Sequence, residues 1–94
     1  MIRLTGPKAE VVKALALLSQ GEQKWFQTEL ILQKRMEGKE FNPKTYRKST
    51  ENLLEKCFLH VPRLVERRLV AAGYSWSLTP AGVAVAETQL EVKT

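Results

Sequence analysis

The chain contains no aspartate, one cysteine and one histidine, and each scarcity closes a class of chemistry. Without aspartate the usual orienting acid of a nucleophilic triad is missing, and so are most carboxylate clusters that hold magnesium, leaving only glutamate to substitute. A single thiol, Cys57, excludes an internal disulfide and a multi-cysteine zinc site, and the expected compartment is the cytoplasm. His60 follows Cys57 by three positions, and that pair completes a metal site only with ligands from a second chain. There is no glycine-rich phosphate loop. No apolar run approaches the roughly eighteen residues of a membrane span. Residues Met1 to Pro7 lack the apolar core and small-residue cleavage site of a secretory signal. Cys57 with His60 is the one nucleophile–base pair to consider, and Cys57 falls on an apolar helical face. The expectation is therefore no enzyme, no metal and no cofactor.

What is present is a basic, ordinarily hydrophobic chain of 94 residues, 44% hydrophobic, with a formal net charge of +5. That length holds one domain over residues 1–94, with a core at about 7–80 and a closing helix at about 80–92. The charge is uneven. Residues 39–68 hold eight lysines and arginines against four glutamates, whereas residues 69–94 hold one lysine against two glutamates. An excess in the middle third suits a patch facing a polyanion, although a solvated surface produces the same count.

Periodicity and punctuation place the elements. Thr5-Gly6-Pro7 opens a first helix, with proline where its missing N–H costs nothing. Val11, Ala14, Leu15 and Leu18 recur at helical spacing, with Val12 and Leu17 widening the stripe, and Gly21 suits a left-handed stop. Lys24-Trp25-Phe26 reads as a short edge strand, and Thr28 as the N-cap of a second helix running to about Met36. Asn42-Pro43 is a strong restart signal. From there Tyr46, Thr50, Leu53, Leu54, Cys57 and Phe58 form one inward face, opposite Lys44, Thr45, Arg47, Lys48, Glu51, Asn52 and Glu55. The pattern leaves Phe58 to Pro62 open between helix, kink and loop. A hairpin follows, out along Leu64 to Val70, turning at Ala71-Ala72-Gly73, and back along Tyr74 to Leu78. Val65 and Leu69 alternate with Glu66 and Arg68 as in a half-buried strand. Trp76 and Leu78, with or without Tyr74, supply the inner face of the return strand. Trp25 and Trp76 are expected to pack in the core rather than to stack bases. Thr79-Pro80 begins a last helix containing Val83, Ala84, Val85 and Leu90. The chain has no repeat and no low-complexity stretch.

A basic hairpin wedged between helices, in the order helix, short strand, helix, helix, hairpin, helix, marks an α+β, mainly α fold: a winged helix-turn-helix. Two segments carry a closer resemblance. Arg63-Leu64-Val65-Glu66-Arg67-Arg68 resembles the entry to the wing in the MarR and PadR families of regulators, with Arg63 where those families place glycine. Tyr74-Ser75-Trp76-Ser77-Leu78-Thr79-Pro80-Ala81-Gly82 resembles their exit from it. The resemblance implies a DNA-binding transcriptional regulator.

On that fold the helix opening at Pro43 enters the major groove, its first turns meeting base edges. Arg47 then suits guanine O6 and N7, and Asn52 suits adenine N6 and N7. Thr45 belongs to the same exposed polar set. Lys44 and Lys48 suit phosphates, while Arg67 and Arg68 reach flanking phosphates or the minor groove. The expected partner is double-stranded DNA, bound as a homodimer through the last helix. A second function stays open on the same fold, docking on a protein without DNA contact. Glu51 and Glu55 on the reading face and an uncharged wing tip at Ala71-Ala72-Gly73 favour it.

Overall fold

The computed structural model describes the backbone of residues 6–91 and the side chains of residues 6–87. Seven elements follow one another: α1 (Pro7–Ser19), β1 (Phe26–Gln27), α2 (Thr28–Arg35), α3 (Pro43–Leu59), β2 (Val65–Val70), β3 (Gly73–Leu78) and α4 (Pro80–Glu91). The architecture is α+β and mainly helical. β3 is the central strand, antiparallel to both neighbours in the order β1-β3-β2.

The punctuation read from the sequence holds where a side chain closes the backbone locally. Asn42 caps α3, its Oδ1 accepting from the amides of Lys44 at 3.0 Å and Thr45 at 3.4 Å. Pro43 takes the first helical position, where no intrahelical donor is missed. Thr79 does the same for α4: its hydroxyl accepts from the amide of Gly82 at 3.0 Å and donates to the carbonyl of Arg63 at 2.5 Å. α3 runs as helix to Leu59, which settles the stretch after Phe58, and the chain turns through His60 to Arg63 before β2. Residues 1–5, the expected helix end near Val92 and the side chain of Leu90 lie outside the described residues.

Three expectations fail because tertiary contacts override the local pattern. Thr28 is not an N-cap. Gln27 occupies that position, and the Thr28 hydroxyl accepts instead from the indole Nε1 of Trp76 at 2.9 Å. Leu17, expected to widen the buried stripe of α1, is 44% exposed, whereas Val11, Ala14 and Leu15 are buried where α1 packs against the other helices. Leu69, expected on an inner face with Val65, is 74% exposed. It does share the Val65 face, but the hairpin runs beyond the core before it turns, so the second half of β2 faces solvent. In α4, Val85 and Ala86 are buried while Val83 and Ala84 are exposed. The turn after α1 closes as expected, with Gly21 at the C′ position and φ 82°, and the C-cap Gln20 is itself left-handed at φ 51° with its amide on the Ala16 carbonyl.

The core joins Val11, Val12 and Leu15 of α1, Ile31 of α2, Leu54 and Cys57 of α3, and Val65, Trp76 and Leu78 of the sheet, with Val85 closing it from α4. Fully burying each large apolar side chain stabilises the fold by about 1.5–3 kcal/mol, before chain entropy is set against it. α4 approaches the base of the hairpin very closely. A Cβ on Gly82 would come within 2.1 Å of the Leu64 carbonyl oxygen and 2.9 Å of Leu78 Cδ2. That same carbonyl accepts from the Thr79 amide at 3.1 Å, so it has no freedom to retreat. Glycine here serves proximity; at Gly73, with φ 116°, it serves the hairpin turn.

Gly82→Ala is therefore expected to destabilise the protein by roughly 1–3 kcal/mol or more, as overpacking against backbone does. An unchanged urea midpoint would refute the close approach. Thr28→Val, which strands a buried indole N–H, is expected to cost about 1–3 kcal/mol, with Thr28→Ser recovering most of it.

Candidate nucleic-acid interface

Helical geometry sorts the polar residues of α3 into a strip and a flank. Lys44, Thr45, Lys48 and Asn52 lie on the side opposite Thr50, Leu54 and Cys57, and all four side chains are exposed. The strip begins in the first turn, where Asn42 has organised the helix start and the positive end of the helix dipole adds to the lysines. Among the described residues, neither Lys44 nor Lys48 has an ion-pair partner. Glu55 is exposed one turn beyond, so the cationic character of the helix belongs to its N-terminal half.

Arg47 stands on the flank facing α2 and the hairpin. Its Nε lies 3.7 Å from Glu29 Oε2 with both side chains at least half exposed, a pair worth little and readily exchanged. Glu51 is half-buried on the same flank. Between this flank, the start of α2 and the hairpin turn lies a groove of about 280 Å³, with Arg47, Glu29 and Glu51 on one side and Leu69 and Tyr74 on the other.

The two hairpin arginines are not brought together. Adjacent residues in a strand point to opposite faces of a sheet, and each arginine finds an aromatic partner on its own side. Arg67 faces α3, with its guanidinium carbon 4.4 Å from the ring centre of Phe58, 4.7 Å from Tyr74 and 5.9 Å from Trp76. Phe58 carries a second guanidinium, that of Arg63, at 4.1 Å, and Arg63 also donates from Nε to the Phe58 carbonyl. Arg68, on the other face, lies 4.5 Å over Trp25. Cation–π contacts of this kind hold a guanidinium plane while leaving its edges open to acceptors. Of the residues expected to contact a polyanion, Lys44, Thr45, Lys48 and Asn52 form one strip, Arg47 adjoins it, and Arg67 and Arg68 diverge.

Sequence reasoning passed over the parts of Glu29 and Phe58, which meet Arg47 and Arg67. The period of two along Val65 to Val70 did carry the signal that Arg67 and Arg68 separate. Trp76 is fully buried as expected, whereas Trp25 is half-buried beneath Arg68 and stands outside the core. The Cys57–His60 pair does not form. Cys57 is fully buried, and the His60 ring Nδ1 is engaged with the Pro62 carbonyl at 2.9 Å. Among the described residues, no three histidine, cysteine or glutamate side chains gather as a metal site, and no helix is long and apolar enough to cross a membrane.

The chain matches no protein-family model, and no curated protein and no solved structure is significantly similar to it.

Burial pushes the Cys57 thiol up to about 11, with Lys8 pulling weakly the other way. A thiol with a raised folded-state value contributes stability that is complete below its unfolded value near 9.0 and is lost as pH rises towards 11. Between those limits the wild type is expected to lose roughly 2 kcal/mol more than Cys57→Ala in parallel urea titrations. Equal losses would show that Cys57 does not stay neutral in the fold.

Proposed function

We propose that this chain is a winged helix-turn-helix domain that binds double-stranded DNA, in the manner of a small transcriptional regulator, with the N-terminal half of α3 in the major groove. The observation carrying this reading is the exposed strip of Lys44, Thr45, Lys48 and Asn52 behind a capped helix start, with Arg47 beside it. The element order, with β1 closing onto the return strand of the hairpin, supports the same reading. Lys44 and Lys48 hold phosphates and set register, and Asn52 and Arg47 read base edges. Arg47 leaves Glu29 to do so, at little cost, because that pair is long and half in solvent.

The hairpin contributes less charge than its sequence implied. Arg67 is spread over three rings, so its part is to brace β2 against α3, with only its edge turned to a phosphate. Arg68, on the opposite face, meets the duplex only where DNA passes the outer side of the sheet. A homodimer through α4 belongs to the proposal, with Val83, 41% exposed, on the available side of that helix. The second reading, a protein-docking domain, is favoured by one observation: the hairpin end is apolar and open, with Leu69 74% exposed beside Ala71 and Ala72.

Fluorescence anisotropy of a labelled random duplex at two salt concentrations separates the two. Polyanion contact is expected to appear as affinity that falls steeply with salt, and Lys48→Ala is expected to weaken all sequences alike and reduce the salt slope by about one. On a selected site, Arg47→Ala is expected to cost about 1–3 kcal/mol and relax preference at one base pair. No binding even at low salt would overturn the DNA reading in favour of a protein partner.

A further inference from the structure

A cavity of about 420 Å³ opens between α1, the last turn of α2 and the turn that follows it. Four cationic side chains line it, Lys13, Lys34, Arg35 and Lys39, against two carboxylates, Glu10 and Glu37. Ala14 and Leu17 form its apolar wall, which accounts for the exposure of Leu17 on a helix face otherwise patterned for the core.

Arg35 is the unusual member. Its side chain is only 7% exposed, so its charge is largely withdrawn from water and needs a close counter-ion. The one it has is loose: Glu10 Oε2 stands 3.5 Å from Nε, with Glu10 itself 47% exposed. Nη1 is spent on a neutral acceptor, the hydroxyl of Thr50, at 3.0 Å. Arg35 lines the cavity with these contacts as its polar ones among the described residues. On the lining of the same cavity, Lys34 Nζ is 3.2 Å from the exposed Glu37 carboxylate, a surface pair that exchanges easily.

We propose that this cavity binds a small organic anion, its acidic group meeting Arg35 and Lys34 and its apolar body lying against Leu17 and Ala14. A carboxylate or phosphate monoester supplies the planar or forked acceptor that a guanidinium binds best. The volume exceeds what an inorganic ion fills and falls within the range of small-ligand sites. Arg35 also touches α3, through Thr50 and over the ring of Tyr46 at 5.9 Å. Those two residues sit on the inner side of the helix whose outer side carries Lys44 and Lys48. Occupancy therefore shifts α3, and under the DNA reading it changes duplex affinity. That coupling rests on the proposed function; the binding does not.

The test is an amide-resolved NMR titration of the whole protein with benzoate and, separately, with inorganic phosphate, without DNA. Benzoate is expected to give saturable shifts at residues 9–17 and 34–39, with resonances of 44–50 following the same curve. Lys34→Ala, a partly exposed position whose loss leaves the core intact, is expected to weaken benzoate roughly tenfold, the loss of one charged hydrogen bond. Absent or non-saturating benzoate shifts, or an unchanged affinity in Lys34→Ala, would overturn the site. Saturation by phosphate alone would overturn the organic ligand in favour of a bare phosphate group. A repeat of the duplex titration with bound benzoate then reads the coupling. Unchanged duplex affinity would overturn the link to α3. A protein that binds no duplex at all would overturn the proposed function, and the benzoate titration alone would still decide the site.

Discussion

The bond from Trp76 to Thr28 is the joint on which the remaining geometry hangs. β1 is only two residues long, too short for its backbone pairing with β3 to hold the start of α2 in place. Trp76 supplies what the ladder does not. Its ring is fully buried in the central strand, opposite Phe26 on one side and Arg67 on the other, and its indole N–H ends on the Thr28 hydroxyl at the first turn of α2. A buried indole donor left unpaired is costly, so this bond specifies a position as well as adding stability. From α2 the constraint passes through Arg35 to Thr50 and Tyr46, and so to the rotation of α3 about its own axis. The inner side of α3 is thus tied, through α2, to an indole in the central strand.

A second constraint fixes the hairpin from its base. Thr79 and Gly82 hold α4 against the carbonyls of Arg63 and Leu64, while Phe58 and Arg67 hold β2 against the C-terminal half of α3. The open end of the hairpin carries neither a charge nor a core contact. Such an arrangement keeps the root of the hairpin rigid and leaves Leu69 and the alanines of the turn in solvent. It also divides the positive charge of the middle of the chain. Lys44 and Lys48 lie on one helix face, Arg67 between the sheet and α3, and Arg68 over Trp25, so a run that looks like one patch in sequence becomes three local fields.

Much of the fold was legible because its signals are local. Asn42-Pro43 and Thr79-Pro80 announce helix starts through atoms within three residues of one another, and α3 shows its inner face by periodicity alone. The hairpin is legible for the same reason, since its turn and its alternation need no outside partner. What was misread depended on how far each neighbour extends. Leu17 and Leu69 obey the pattern of buried positions, but among the described residues no element buries them. Thr28 has the chemistry of a cap, but a tryptophan distant in sequence takes its hydroxyl.

The candidate interface divides along the same line. The chain by itself determined which residues α3 turns outward, because a capped amphipathic helix with one apolar stripe has only one way to face a core. It also set the expectation of no triad and no self-contained metal site, since aspartate is absent and cysteine and histidine occur once each. Only the tertiary structure decided which of the outward cations remain available. Arg47 is met by Glu29, Arg67 by Phe58 and Tyr74, and Arg35 is drawn inward beside a cavity, while Lys44 and Lys48 face water. Those outcomes are set by pairings between separate elements at distances of 3 to 5 Å, which no spacing along a single chain encodes.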